Sequence, residues 1–142
     1  MANYYGTARS NYFPFLPDRL HLLQKIFGPE HIQVVHHLSE PLIAIISLEE
    51  RGTPSVSIDT EEREDALYEL GVDNADNVDD LDIRDILFTL LPPGATLVWV
   101  ETGSEKARYV VGFAARYDHT GAVLQHIDLN DIYKNGEHRA AY

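Results

Sequence analysis

The chain has no cysteine, which removes disulfides, thiolate nucleophiles, cysteine-ligated zinc and iron–sulfur clusters together. That absence suits a reducing compartment, and a cytoplasmic location is the expectation. Bases are scarce, with 11 Lys and Arg against 23 Asp and Glu for a net charge of −12. With no basic run to track a phosphate backbone, free nucleic acid is not expected as a partner. No apolar run approaches the roughly 18 residues of a membrane span, and Met1-Ala2-Asn3-Tyr4-Tyr5 lacks the charged and apolar regions of a signal peptide. No membrane partner is expected either. Also missing are His-Glu-x-x-His, Gly-x-Ser-x-Gly and any phosphate-cradling glycine loop.

What the chain does have is a concentrated acidic block. Twelve acids lie between Asp59 and Asp85, answered only by Arg63 and Arg84, so this segment carries ten of the twelve net negative charges. The rest is nearly neutral. Such a block repels nucleic acid and membranes and suits a basic groove on another protein. Three readings compete for it: a solvated face that keeps the protein soluble, a disordered segment, and a docking or decoy surface. Carboxylates along a helix offer roughly the charge density of duplex DNA, about one negative charge per 1.7 Å of axis. Candidate partner-binding residues are Asp73, Asp76, Asp79, Asp80, Asp82, Asp85, Glu61, Glu64 and Glu69.

At 142 residues with 44% hydrophobic content the chain makes one domain with a real core. The aromatic start, through Tyr4, Tyr5, Tyr12 and Phe13, predicts a strand or ordered arm packed on that domain. Asp18 is placed to cap a helix across Leu20, Leu23, Ile26 and Phe27, ended by Gly28-Pro29. The runs Ile32 to Leu38 and Leu42 to Leu48 predict a hairpin, and Pro54 to Ile58 a strand with one wet face. Asp59 with Glu62 predicts a capped helix carrying Ala66, Leu67 and Leu70. Ile83, Ile86, Leu87, Leu90 and Leu91 form a stronger stripe, and Asp79, Asp82 and Asp85, recurring every three residues, predict a row of carboxylates on its solvent edge.

Residues 95–129 read as an antiparallel meander of segments Thr96 to Glu101, Ala107 to Tyr117 and Ala122 to Leu129. The links are Thr102-Gly103-Ser104-Glu105 and Asp118-His119-Thr120-Gly121. Asn130 to Tyr133 adds one short turn, and residues 136–142 are expected to fray. The whole is a single α+β domain over residues 1–142: a mainly antiparallel sheet of about six strands with two or three packed helices.

Catalytic chemistry finds little purchase. His36 and His37 are adjacent on a strand and point to opposite faces, so they cannot share a metal. A calcium loop starting at Asp73 would place Ala75, Val78 and Arg84 where an oxygen ligand, a glycine and a glutamate are needed. No metal and no cofactor is expected, and no nucleophile–base pair can be named. The enzyme alternative gathers Arg9, Tyr12, Glu101 and Arg108. Tyr5, Arg9, Asn11 and Tyr12 form a secondary interaction set, with Arg9 expected to pair inside the protein.

The string Asn3-Tyr4-Tyr5-Gly6-Thr7-Ala8-Arg9-Ser10-Asn11-Tyr12-Phe13 resembles the opening signature of a family of small proteins carried by phages, plasmids and other mobile elements. Trp99 to Tyr109, then Gly112, Ala114 and Asp131-Ile132-Tyr133, resemble the same family. The resemblance implies a setting more than an activity: small acidic proteins of mobile elements that inhibit host defence, of anti-CRISPR or anti-restriction type. The expected function is a non-enzymatic inhibitor acting as a DNA mimic. Its partner would be a host defence protein or ribonucleoprotein complex with a basic groove. The alternative is a nucleic-acid-binding accessory protein of the mobile element, using the aromatic arm.

Overall fold

The computed structural model describes residues 4–72, 80–105 and 109–132. It is α+β, with one large antiparallel sheet and three α-helices. The strands are β1 (Tyr4–Ser10), β2 (Phe13–Pro14), β3 (Ile32–His36), β4 (Leu42–Ser47), β7 (Thr96–Glu105), β8 (Tyr109–Asp118) and β9 (Val123–Asp128). Their order is β2-β4-β1-β7-β8-β9, with β3 also paired to β4. A two-residue ribbon, β5 (Ser55–Val56) with β6 (Leu81–Asp82), stands apart. The helices are α1 (Leu20–Ile26), α2 (Glu61–Leu70) and α3 (Ile83–Leu90).

Alternation along the strands divides the sheet into two faces. Ala8, Phe13, Ile43, Ile45, Leu97, Trp99, Ala115 and Tyr117 point inward and are buried with Leu22, Leu23 and Ile26 of α1, Leu67 and Leu70 of α2, and Ile83, Ile86, Leu87 and Leu90 of α3. The other face carries the continuous cross-strand row Gln33, Ile46, Arg9, Val100, Ala114 and Ile127. Gln33, Arg9 and Ile127 on it are exposed and the rest half-buried, so no described helix covers it.

The N-terminal arm is an interior strand. β1 pairs with β7 over seven rungs from Tyr4–Glu105 to Ser10–Trp99, and with β4 through Arg9–Ile46. After Ser10 the chain leaves β7 and runs along β4 as β2, and two side chains fill the ladder positions it abandons. The Ser10 hydroxyl accepts the Ile45 N–H at 2.9 Å. The Asn11 carboxamide oxygen accepts the Val98 N–H, also at 2.9 Å.

Several local expectations are corrected. Asp18 does not cap α1: Pro17–Arg19 forms a 3-10 turn and Arg19 occupies the N-cap without a side-chain bond. α2 is capped by Thr60, whose hydroxyl accepts the Arg63 N–H at 3.2 Å, while Asp59 binds the Arg63 guanidinium. The strand expected over Pro54 to Ile58 shrinks to two residues. Thr102 to Glu105, expected as a link, is strand, because β1 and β8 flank it and supply partners that its own propensity does not demand.

The acidic helix as a candidate binding surface

α2 divides cleanly around its axis. Ala66, Leu67 and Leu70 are buried, while Glu61, Glu62, Glu64, Asp65, Tyr68 and Glu69 are exposed. Its one base is turned away from that face. Arg63 donates to the Ile26 carbonyl at 3.1 Å, the Ser57 carbonyl at 3.3 Å and the Asp59 carboxylate at 3.0 Å. The guanidinium thus fastens α2 to the end of α1 and leaves five carboxylates of the helix without a cation among them. Glu61 with Asp65, and Asp65 with Glu69, are like charges four residues apart, an arrangement that weakens a helix. Glu61, Glu62 and Glu64 recover part of that loss by lying in the first turn, near the positive end of the helix dipole.

On the same face, toward its C-terminal end, stands Tyr68, 87% exposed. A solubility coat has no use for a solvated phenol, whereas binding surfaces favour tyrosine as an anchor. The candidate binding residues named from the sequence leave out Tyr68 and Asp65, and Glu62 is read there only as a capping residue. The signal was present, since the three interleave with Glu61, Glu64 and Glu69 and oppose Ala66, Leu67 and Leu70.

The second half of the acidic block is built differently. Asp82 is the extended N-cap of α3, so the expected helical row of Asp79, Asp82 and Asp85 does not form over the described residues. The Asp82 carboxylate accepts the Arg84 N–H at 2.8 Å and grips the guanidinium at 3.0 and 2.8 Å. Those bonds, with the charge of Asp82, raise the Arg84 pKa and commit the Asp82 carboxylate to a cap and an ion pair. The Arg84 guanidinium also donates to the Tyr117 hydroxyl at 3.1 Å and lies over the Phe113 ring, 5.7 Å from its centroid. Asp85 is exposed on α3, but partial burial and then the Asp82 charge hold its pKa up. Asp80 is exposed just before β6. Asp73, Asp76 and Asp79 lie outside the described residues.

The aromatic arm separates by face as well. Tyr5, 54% exposed, lies with Arg9 on the uncovered side of the sheet. The expected internal pairing of Arg9 is not found: Gly6, Ala8 and Ser10 alternate inward, so Arg9 must face solvent. Asn11 serves the ladder, and Tyr12 sets its ring edge-on to His37 at 5.0 Å. The enzyme constellation also comes apart. Glu101 faces the helices and accepts the Thr53 N–H at 2.6 Å and hydroxyl at 2.5 Å. Arg9 is on the opposite side of the same sheet, and Arg108 lies outside the described residues. A histidine–carboxylate contact does occur at His31, whose Nδ1 is 2.6 Å from Glu49 and whose Nε2 is 3.4 Å from Glu30. The nearby Ser47 hydroxyl donates instead to the Gly52 carbonyl at 2.6 Å.

No helix of the described residues is long and apolar enough to cross a membrane. Comparison with protein-family models, with curated proteins and with solved structures finds no match in any of the three.

Proposed function

We propose that the protein is a non-enzymatic inhibitor that lays the exposed face of α2 into a basic groove of a host nucleic-acid-processing complex. The observation that carries this reading is the fixed acidic face of α2 with exposed Tyr68 among its carboxylates. From Glu61 to Glu69 the helix rises about 12 Å. Five carboxylates over that length amount to about one charge per 2.4 Å, close to the linear density of a duplex. A groove shaped for nucleic acid meets a comparable field here, and the repulsion that opposes the helix is relieved when cations arrive from outside. The resemblance of the N-terminal signature to mobile-element proteins supplies the setting, a defence system of CRISPR or restriction type.

The test combines capture and competition. Tagged protein should retain a nucleic-acid-processing complex from host lysate at moderate salt and block its cleavage of DNA. Replacing Glu61, Glu64 and Glu69 with Gln, together with Tyr68→Ala, should weaken that complex by at least about 2 kcal/mol, a factor of ~30, without loss of fold. Wild-type affinity should also fall as salt rises. Full binding and inhibition by the quadruple variant would leave α2 as a solubility face.

One observation favours the runner-up: Tyr5, Arg9 and Arg116 are exposed on the uncovered face of the sheet. A mobility shift of bare DNA or RNA at micromolar protein, falling steeply with salt, would select a nucleic-acid-binding accessory role instead.

A further inference from the structure

β9 ends the sheet, paired with β8 on one edge and with no described strand on the other. From Ala122 to Leu129, seven of eight residues are exposed. Within this stretch Val123, Leu124, Ile127 and Leu129 are 59%, 55%, 57% and 45% exposed, a concentration of wet aliphatic side chains found nowhere else among the described residues. Folded proteins usually blunt such an edge with lysine or proline. β9 has neither.

Two features set how much of the edge is usable. Pairing with β8 runs Arg116–Gln125 and then Tyr117–Val123, so Leu124 is the extra residue of a bulge. At the other end the Asp128 N–H donates to the Asp131 carboxylate at 2.8 Å, which shows that it points away from β8. By the alternation of an antiparallel ladder the His126 N–H and carbonyl point the same way, into solvent. The free ladder is therefore short and centred on His126. A foreign extended peptide gains little from so few backbone bonds, and most of the stabilisation has to come from covering the aliphatic side chains. A second copy brings the same four side chains to the contact.

Charge points to the same occupant. β9 holds one acid, Asp128, and no Lys or Arg, in a chain of net charge −12. The acids of α2 lie on the helix that packs against α1, whereas β9 packs against β8 and the turn after it. With Asp128 and Asp131 of the following turn against five acids on α2, β9 is thus where two such anionic molecules meet with less repulsion than at the acidic helix. A standard interface takes about a tenth of a small protein's surface from each partner, here a tenth of 8914 Å². One strand with its flanking turn offers less than that, which fits a reversible dimer and not a permanent one.

We infer that the protein self-associates through β9. Two copies pair antiparallel about a two-fold axis at His126, joining their sheets edge to edge. The Val123–Leu124 end of one strand lies beside the Ile127–Leu129 end of the other, an isologous contact that closes on itself.

Sedimentation velocity on the full chain from about 1 to about 200 µM tests this. A monomer–dimer equilibrium is expected, and it should tighten when salt is raised, because screening removes the repulsion between two anions and leaves the apolar contact in place. That is the opposite salt response to partner docking by α2, so the two ideas fail separately. Ile127→Lys and, independently, Val123→Lys should weaken the dimer at least tenfold with unchanged melting temperatures, both residues being solvated in the monomer. Gln33→Lys, on the strand at the other end of the sheet, should leave it intact. A protein that stays monomeric throughout, a dimer weakened by salt, or one indifferent to both β9 variants would overturn the inference.

Discussion

Ser10 shows how much a single hydroxyl can decide. It is 3% exposed and accepts the N–H of Ile45, itself fully buried, at the point where β1 gives way to β2. Ser10→Ala leaves that N–H without a partner in the core, a loss of about 1–3 kcal/mol. The expected result is a melting temperature lower by about 3–10 °C. Arg9→Ala, one residue earlier but on the solvent side, should stay within about 0.5 kcal/mol of wild type. Equal losses at the two positions would mean that the corner is not built as described. The motif Arg9-Ser10-Asn11 was legible as distinctive, but its sequence cannot say that Ser10 and Asn11 serve the ladder while Arg9 faces water. That depends on β4 and β7, which arrive from distant parts of the chain.

The start of α3 is where the acidic block gains a pH dependence. Burial, followed by the neighbouring Asp82 carboxylate, raises the pKa of Asp85, with Arg84 acting in the opposite direction. An acid with a higher pKa in the folded state than in the unfolded one holds its proton more tightly when folded, so its ionisation removes stability as pH rises through that value. Asp85→Asn should therefore melt above wild type at neutral pH, and the gap should close as pH falls below about 4, where both forms are uncharged. A gap that widens on acidification would contradict this account. The element itself was plain in sequence, since Ile83, Ile86, Leu87 and Leu90 mark one stripe. Its first residue was not, because Asp82 looks like part of the same three-residue repeat. Only its capping bond to Arg84 and its pairing with Ser55 place it outside the helix. α2 was legible in the same way, through Ala66, Leu67 and Leu70, but the replacement of Asp59 by Thr60 as cap was not, because adjacent Asp and Thr both qualify for that position.

For the molecule as a whole, β1 is the piece that cannot be spared. It lies between β4 and β7, and its removal splits the sheet. Deleting residues 2–13 should abolish cooperative unfolding, beyond the lowered melting temperature expected of a packed arm. The single tryptophan gives the measurement: Trp99 is fully buried and its indole N–H donates to the Thr53 hydroxyl at 2.9 Å. Wild-type emission should be blue-shifted and move to the red in one denaturant transition, while the deletion should start red-shifted. A truncated protein that still unfolds cooperatively would make the arm an accessory.

The α+β class, the hairpin of β3 and β4, the apolar stripes of the helices and the acidity of α2 follow from the sequence alone, because each rests on a periodicity of two or of three to four within a dozen residues. Tertiary structure alone decides which acids remain free, since Asp82 is spent on a cap and an ion pair while Glu61, Glu64 and Glu69 are left facing solvent. It also decides that the N-terminal arm is the centre of the sheet, that Arg9 and Glu101 occupy opposite faces, and that β9 has no partner strand on its outer edge among the described residues. The physical reason is common to all of these. Each depends on strands or helices brought together across long stretches of chain, as when Arg9 pairs with Ile46 on one side and Val100 on the other, and no local pattern of residues encodes which neighbour arrives or which side it covers.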